Sequence, residues 1–396
     1  MKQYDKIIYF NNYLSPEIAE KRTQGKLFFS GNKKIQIIQD YLLVVAASVE
    51  NISATFASTK KIISFDPLKI VSVDEGLVRY HYPSSLFGNI FSVISLIVYS
   101  IQFAFSMPKG KKYCIVVYNT YFYTLLPALC ASAILVSPII LEYEDVVSRA
   151  KDHHILVRLF SLCVEKIFMK HIFSGYITVN SYMPYTDKKK PFFVCSGKIP
   201  SNIKLNFSQY HAKRDSKITF LYSGTLHPNR GIHQFIEMVQ TEKLQNTIRL
   251  IVVGPSRIQY SFSQFSFVEY HGVVSEDTLK KMIGGADVCL ITQPIDEYIL
   301  GSFPSKIFDY ISQSKMILST PIPETFLIRD SGYPIFYYLN GDDFVRFVQQ
   351  YPLKTKKINV DDIDFTVVQR KYGKDETYFK TFMNKINNNL HSDLQK

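Results

Sequence analysis

The residue types best suited to chemistry cluster in the run Gly301-Ser302-Phe303-Pro304-Ser305-Lys306-Ile307-Phe308-Asp309-Tyr310. A helix that begins near Pro304 or Ser305 would offer unpaired N–H groups and the positive end of its dipole to an anion, and Lys306 adds a full charge. One turn on, Asp309 is an acceptor-only carboxylate that can take both hydroxyls of a ribose. A plainer reading stands beside this one, with Ser302 or Ser305 as an ordinary N-cap and Asp309 as a solvated acid in a first turn. Upstream, Gly224-Thr225-Leu226-His227-Pro228-Asn229-Arg230-Gly231 carries glycines that let backbone approach a phosphate and an arginine that can grip one with a bidentate fork. Gly254-Pro255 again clears side chains from a ligand path, and the backbone at Gly272 in His271-Gly272-Val273 can read a nucleobase edge; His271 fits a polar strand end equally well. In the first half, Glu142-Tyr143-Glu144-Asp145 sets three carboxylates directly after an apolar strand, where Glu144 or Asp145 could orient a hydroxyl and Asp145 could instead cap a helix.

These residues need elements that hold them at one edge of a sheet. In the second half, apolar runs at 218–223, 248–253, 266–269, 288–291 and 316–319 read as strands, and helices are signalled at 231–239, 275–284 (Ser275 as N-cap) and 305–312. Each chemical segment follows one of those strands, which is where open α/β sheets bind ligands. The first half alternates in the same way, with strands at 6–10, 42–47, 61–65, 113–118, 139–143 and 175–179, and a helix starting at Ser15-Pro16-Glu17. The polar stretch 201–217 is the natural linker. The expected architecture is therefore α/β, with a domain over 1–205, a second over 216–373 and a terminal helix in 374–396.

Composition bounds the function classes. With 46% hydrophobic and 20% charged residues among 396, the chain is globular and long enough for two cores. The formal charge of +12 admits any polyanion as a partner, but its lysines fall in short groups and no zinc-finger spacing or nucleic-acid module is present, which argues against nucleic acid. Five cysteines without a C-x-x-C pair read as buried free thiols in a reducing compartment, and the N-terminus lacks a secretory pattern, so a cytoplasmic location is expected. Residues 86–107 carry no charge and have the length to cross a bilayer; set in an α/β domain they read as a helix that is buried or lies in the membrane interface. The run 125–141 reads as a helix with Pro127 near its start, broken at Ser137-Pro138 before a strand.

Taken in order, Ser223-Gly224-Thr225…Arg230-Gly231, Val253-Gly254-Pro255, Tyr270-His271-Gly272-Val273, Ala286-Asp287-Val288 and Phe303-Pro304-Ser305-Lys306-Ile307-Phe308-Asp309-Tyr310 resemble the donor domain of the group 1 glycosyltransferases, over residues 217–321. The resemblance implies a GT-B fold of two Rossmann-like, doubly wound domains facing across a cleft, with the terminal helix packing back on the first. It implies a nucleotide-diphosphate sugar as donor, its diphosphate held by Arg230 and Lys306, its ribose by Asp309 and its base by residues 270–273. Transfer would retain anomeric configuration and need no metal. The sequence departs from the family's Glu-x7-Glu pair, whose first position is Gly301 and second Asp309; Glu297 could substitute for the lost carboxylate. Thr225 stands at the family's usual arginine, and Arg230 at its lysine. On the acceptor side, Glu144 and Asp145 match an acidic stretch, and Asn11, Asn12 and Arg22 replace a glycine-rich loop.

The implied activity is transfer of a hexosyl group to a glycan or lipid-linked glycan in bacterial surface-polysaccharide synthesis, with peripheral contact at the inner face of the plasma membrane. A nucleotide-sugar 2-epimerase would need further acid and base groups that Gly301 does not provide. A non-catalytic partner subunit of the same fold would bind nucleotide without turnover, and a dinucleotide dehydrogenase lacks its G-x-G-x-x-G opening.

Overall fold

The computed structural model describes residues 2–15, 32–54, 71–82, 88–149, 154–180, 183–197, 199, 203–207, 217–256, 262–295, 303–356, 358, 360–372 and 376–394. The chain divides into two compact units, Met1–Ser196 with Asp375–Lys396, and Gly197–Lys374.

The first unit is built on β1 (Tyr4–Asn11), α1 (Asn32–Val45), β2 (Ala46–Ser53), β3 (Val71–Glu75), β4 (Val78–Tyr82), α2 (Gly88–Ser106), β5 (Tyr113–Tyr118), α3 (Phe122–Leu135) and β6 (Ile139–Tyr143). It continues with α4 (Ile155–Cys163), a π turn (Val164–Phe168), α5 (Met169–Ile172), β7 (Gly175–Thr178) and β8 (Phe192–Val194). The sheet order is β3-β4-β2-β1-β5-β6-β7-β8, parallel throughout except for the antiparallel β3–β4 pair. The order reverses at β1, with β2 on one side and β5 on the other. Strands such as β5 and β6 are almost wholly apolar because helices cover both faces of a parallel sheet.

The second unit contains β9 (Ile218–Ser223), α6 (Ile232–Thr241), β10 (Ile248–Val253), β11 (Val268–Tyr270), α7 (Glu276–Gly285), β12 (Val288–Ile291), α8 (Ile307–Ser312), β13 (Met316–Ser319), α9 (Pro323–Asp330), β14 (Ile335–Tyr337), α10 (Gly341–Lys356) and α11 (Phe365–Tyr372). Its six strands are all parallel in the order β11-β10-β9-β12-β13-β14, so the switch point falls between β9 and β12. The last helix, α12 (Glu376–Leu394), returns to the first unit. There Phe379, Phe382, Met383 and Ile386 are buried in one cluster with Tyr41 and Phe193. A Cβ on Gly175 would come within 2.8 Å of Ile386 Cδ1, so glycine on β7 is what allows α12 this approach.

Several boundaries differ from the sequence reading. The run 42–47 is the end of α1 followed by the start of β2, because an apolar helix terminus abuts an apolar strand without punctuation. The chain enters the second unit earlier than 205: Ile199 and Phe207 are buried in its core, and Ile199 N donates to Tyr372 O at 3.2 Å. Helix α3 starts at Phe122, before Pro127, and α2 covers Gly88–Ser106 of the long apolar run. Of the cysteines, Cys114, Cys195 and Cys289 are buried, while Cys130 is half-buried and Cys163 exposed on α4, against the expectation of uniformly buried thiols. The strand expected at 61–65 and the helix start at Pro16 lie outside the described residues, as does most of the linker at 201–217.

Candidate functional site

In the second unit the loops after β9, β10, β11 and β12 are laced together by glycines. Gly224 N donates to Val253 O (2.9 Å), and Gly254 N donates to Gly272 O (2.7 Å). Gly254 has φ +135°, and a Cβ there would lie 2.1 Å from Gly224 O. Gly231 (φ +72°) is the N-cap of α6, and its missing Cβ would fall 1.7 Å from Thr292 O, the residue after β12. Thr292 Oγ1 then donates to Arg230 O at 2.6 Å, pinning the arginine's backbone at the switch point. At Gly231 and Gly254 only glycine permits the crossing, since each combines a positive φ with close backbone contact.

Lys306 completes this corner. Its Nζ donates to Ser223 O at 2.9 Å and lies 4.0 Å over the ring of Tyr222, beside the open face of Gly224. Burial, reinforced by the positive charge of Arg230, pulls its pKa down to about 7. A carbonyl and an aromatic face are weak substitutes for a counter-ion, so the ammonium is poised to take an anion. Ser223 is itself fixed by Tyr310 of α8, whose hydroxyl meets Ser223 Oγ at 2.9 Å.

The helix start at this corner departs from expectation. Helix α8 begins at Ile307, and Phe303–Lys306 form a tight turn in which the amides of Ser305, Ile307, Phe308 and Asp309 already donate to Phe303 O, Pro304 O, Ser305 O and Lys306 O. Four of the anticipated helix-end N–H groups are therefore engaged in local turns, which leaves much of the charge at this position to Lys306. Pro304 is buried, Ser305 is exposed, and Phe303 stacks on Phe308 at 5.3 Å, so Phe303 is a packing residue. Asp309 is half-buried in the first turn of α8, within electrostatic reach of Lys280 on α7. Thr225 contributes its carbonyl to Tyr222 Oη at 3.1 Å. His271 is exposed and faces Glu269 at 3.9 Å, Val273 is exposed, and Gly272 turns the chain at φ +62°. Asp287 holds the opposite end of the sheet, accepting from Thr219 N at 2.8 Å. Gly301, Ser302 and Glu297 lie outside the described residues, as does Arg22 in the first unit.

In the first unit, the carboxyl ends of β1 and β6 carry a buried polar cluster. Glu142 is almost fully buried on β6 and accepts a short hydrogen bond from Tyr9 Oη on β1. Burial pushes its pKa up to about 8, against the pull of Lys34, so the carboxyl is neutral at pH 7. Its Oε1 has no partner among the described residues. Lys34, from the first turn of α1, meets Glu144 at 3.0 Å. Burial works to discharge Lys34, but the charge of Glu144 outweighs it and holds the ammonium charged. Asn119, after β5, sits at φ +53° and accepts from the amides of both Glu144 (2.7 Å) and Asp145 (3.1 Å), which fixes the acidic segment. No α-helix starts at Asp145; a 3₁₀ turn follows, and α4 is capped by His154. Asn11 is spent on structure, donating to Asn51 Oδ1 (2.7 Å) and accepting from Tyr13 N (2.8 Å), and Asn12 bonds Tyr123.

Lys34, Tyr9, Glu142, Asn119 and Tyr222 were not singled out from the sequence. Their partners lie 25 or more positions away in the chain, and only the sheet order brings them together. Glu142 alone carried a signal, as the first acid of Glu142-Tyr143-Glu144-Asp145.

Two parallel-sheet units with these strand orders define the fold class, and the chain has the GT-B fold. It matches the UDP-forming α,α-trehalose-phosphate synthase of Burkholderia xenovorans with a TM-score of 0.61 at 10% identity, covering 98% of this chain and 99% of that one. It matches HepE of Anabaena, solved with UDP and glucose, with a TM-score of 0.60 at 13% identity, covering 98% and 100%. The lipopolysaccharide outer core galactosyltransferase WaaB, in its apo form, gives a TM-score of 0.56 at 15% identity, covering 97% and 99%. No family model and no curated protein matches the chain.

Proposed function

We propose that this protein is a nucleotide-sugar glycosyltransferase that binds its donor diphosphate at the switch point of the second unit. The observation that carries the reading is Lys306, a half-buried ammonium without a carboxylate partner among the described residues, set beside Arg230 and a glycine-lined backbone corner. Arg230 and Lys306, whose charge a bound diphosphate would restore, would stabilise the departing nucleotide diphosphate, so the reading asks for no divalent ion. Asp309 would take the ribose, with Gly272 and Val273 at the base. The structural neighbours named for forming UDP or holding UDP and glucose make UDP the first nucleotide to test. By the family resemblance, transfer retains configuration and the acceptor is a glycan or lipid-linked glycan of a surface polysaccharide, met at the inner face of the membrane.

In the first unit the Lys34–Glu144 pair would orient an acceptor hydroxyl or the transferred sugar, with neutral Glu142 and Tyr9 holding that pair in place. The test is thermal stabilisation by UDP, GDP, ADP and CMP, with Lys306→Met and Asp309→Ala alongside. One nucleotide should raise the melting temperature, and both substitutions should remove the shift. A chain that no nucleotide stabilises would not be a transferase of this kind, and one that binds UDP yet never hydrolyses or transfers from a UDP-sugar would be the non-catalytic subunit.

A further inference from the structure

Two helices of the first unit are packed in the reverse sense for a surface bathed in water. Helix α2 contains no charged residue over its 19 positions. Its buried side carries Ser92, Ser100 and Ala104 beside Val93 and Leu96, while Phe91, Ile94, Val98 and Phe105 share one outward stripe. Exposure reaches 60% at Phe91 and 73% at Phe105. Helix α4 and its π turn repeat the inversion. Ser161 points inward to Thr120 O (3.0 Å) and Glu165 is buried between Thr120 and Ser148, whereas Leu156, Leu159 and Phe168 are exposed.

Both helices belong to one layer. Helix α2 packs on α3 and α3 on α4. The connections from β4 to β5, β5 to β6 and β6 to β7 all run in the same direction along the sheet, so right-handed crossovers place α2, α3 and α4 on the same face. The charge bordering this face is basic: Lys109, Lys111 and Lys112 are exposed just past α2, with Asp5 meeting Lys111 at 3.5 Å, and Lys166 and Lys170 flank the exposed Phe168. Exposed apolar stripes on helices of one layer, bordered by basic residues, mark a contact surface. Among the described residues no helix is long and apolar enough to cross a membrane.

We propose that the outer face of the α2–α3–α4 layer docks on an anionic lipid bilayer, with α2 lying in the interfacial plane and the lysines at its end among the headgroups. A bilayer of anionic lipid satisfies both the apolar stripe and its basic border. A two-fold contact with a second copy would bring the same basic borders near each other. The inference deepens the membrane side of the proposed function, and no part of it rests on nucleotide binding.

The experiment is flotation of the full chain with vesicles of phosphatidylcholine alone and of phosphatidylcholine with phosphatidylglycerol. The unaltered chain should float with the anionic vesicles. Phe91→Ser with Phe105→Ser should lower the partition roughly tenfold or more, given the apolar area withdrawn. Lys109→Glu with Lys112→Glu should weaken it by a similar factor, as does high salt. All these side chains are exposed, and an unchanged melting temperature and UDP-induced shift would certify each variant as folded. The proposal is overturned if the unaltered chain fails to float or if the serine variant floats equally well. It is also overturned if light scattering finds a dimer that the serine variant dissolves without any flotation. Failure here leaves the UDP shift standing, whereas loss of that shift in the unaltered chain sinks the transferase reading and leaves flotation untouched.

Discussion

At neutral pH Lys306 sits near the midpoint of its titration, because burial and Arg230 bring its pKa to about 7. A diphosphate placed against it restores the charge, raises that pKa and so draws in a proton. Above pH 7, UDP binding should therefore be accompanied by proton uptake, and affinity should fall by up to about tenfold per pH unit until the pKa of the complex is reached. Calorimetry in buffers of different ionisation enthalpy reads this directly, and Lys306→Met should abolish the buffer dependence. Binding heats that do not depend on the buffer would remove Lys306 from the diphosphate. Glu142 makes the opposite kind of statement. Its folded pKa, about 8, lies above the ordinary value of 4.5, so the folded chain holds the extra proton between those limits. Its contribution to stability is present in full below about pH 4.5 and is lost as pH rises through 8. Glu142→Gln keeps the shape of the neutral carboxyl and removes that slope. In parallel melts the variant should gain on the unaltered chain steadily from pH 5 to pH 8, and curves that stay parallel would mean that Glu142 is ionised throughout.

At the scale of elements, the corner that holds Lys306 depends on loop crossings that a single methyl group would block. Gly231→Ala adds a Cβ 1.7 Å from Thr292 O at φ +72°, so the loop must shift. The φ alone costs about 1–3 kcal/mol. The variant should melt lower and lose UDP stabilisation together, and a variant that melts normally and still binds UDP would show that the crossing is not needed. Helix α12 is fixed by the aromatic cluster of Phe379 with Tyr41 and Phe193, and Phe379→Ala should cost about 3–5 kcal/mol in chemical denaturation.

These elements differ in how far the sequence disclosed them. Strands β9, β10, β12 and β13 coincide with the apolar runs at 218–223, 248–253, 288–291 and 316–319, because each is buried on both faces and closed by a polar or glycine residue. The boundary at 45–46 was invisible, since no polar residue separates helix from strand there. Lys306 and Arg230 were legible through local motif and charge. Tyr222, Lys34 and Asn119 were not, because their roles come from pairings across the sheet. The inversion of α2 was half legible: its lack of charge was plain, but which side turns inward is set by packing on α3.

For the whole molecule, the decisive feature is that the two units have separate cores, one holding Tyr9, Cys114, Ile140 and Phe379, the other Phe220, Leu250, Leu290 and Phe344. The first unit is closed by a helix from the far end of the chain, so it cannot be complete until the second has been made and α12 has returned. Separate cores permit separate melting, and a ligand stabilises the part that binds it. Scanning calorimetry should resolve two transitions, and UDP should raise the one belonging to Gly197–Lys374 while leaving the other in place. Phe379→Ala should do the reverse, lowering the transition of the first unit alone. If UDP moved both transitions equally, the nucleotide would be coupled to both cores, and the proposed donor site at the glycine corner and Lys306 would not be confined to the second unit.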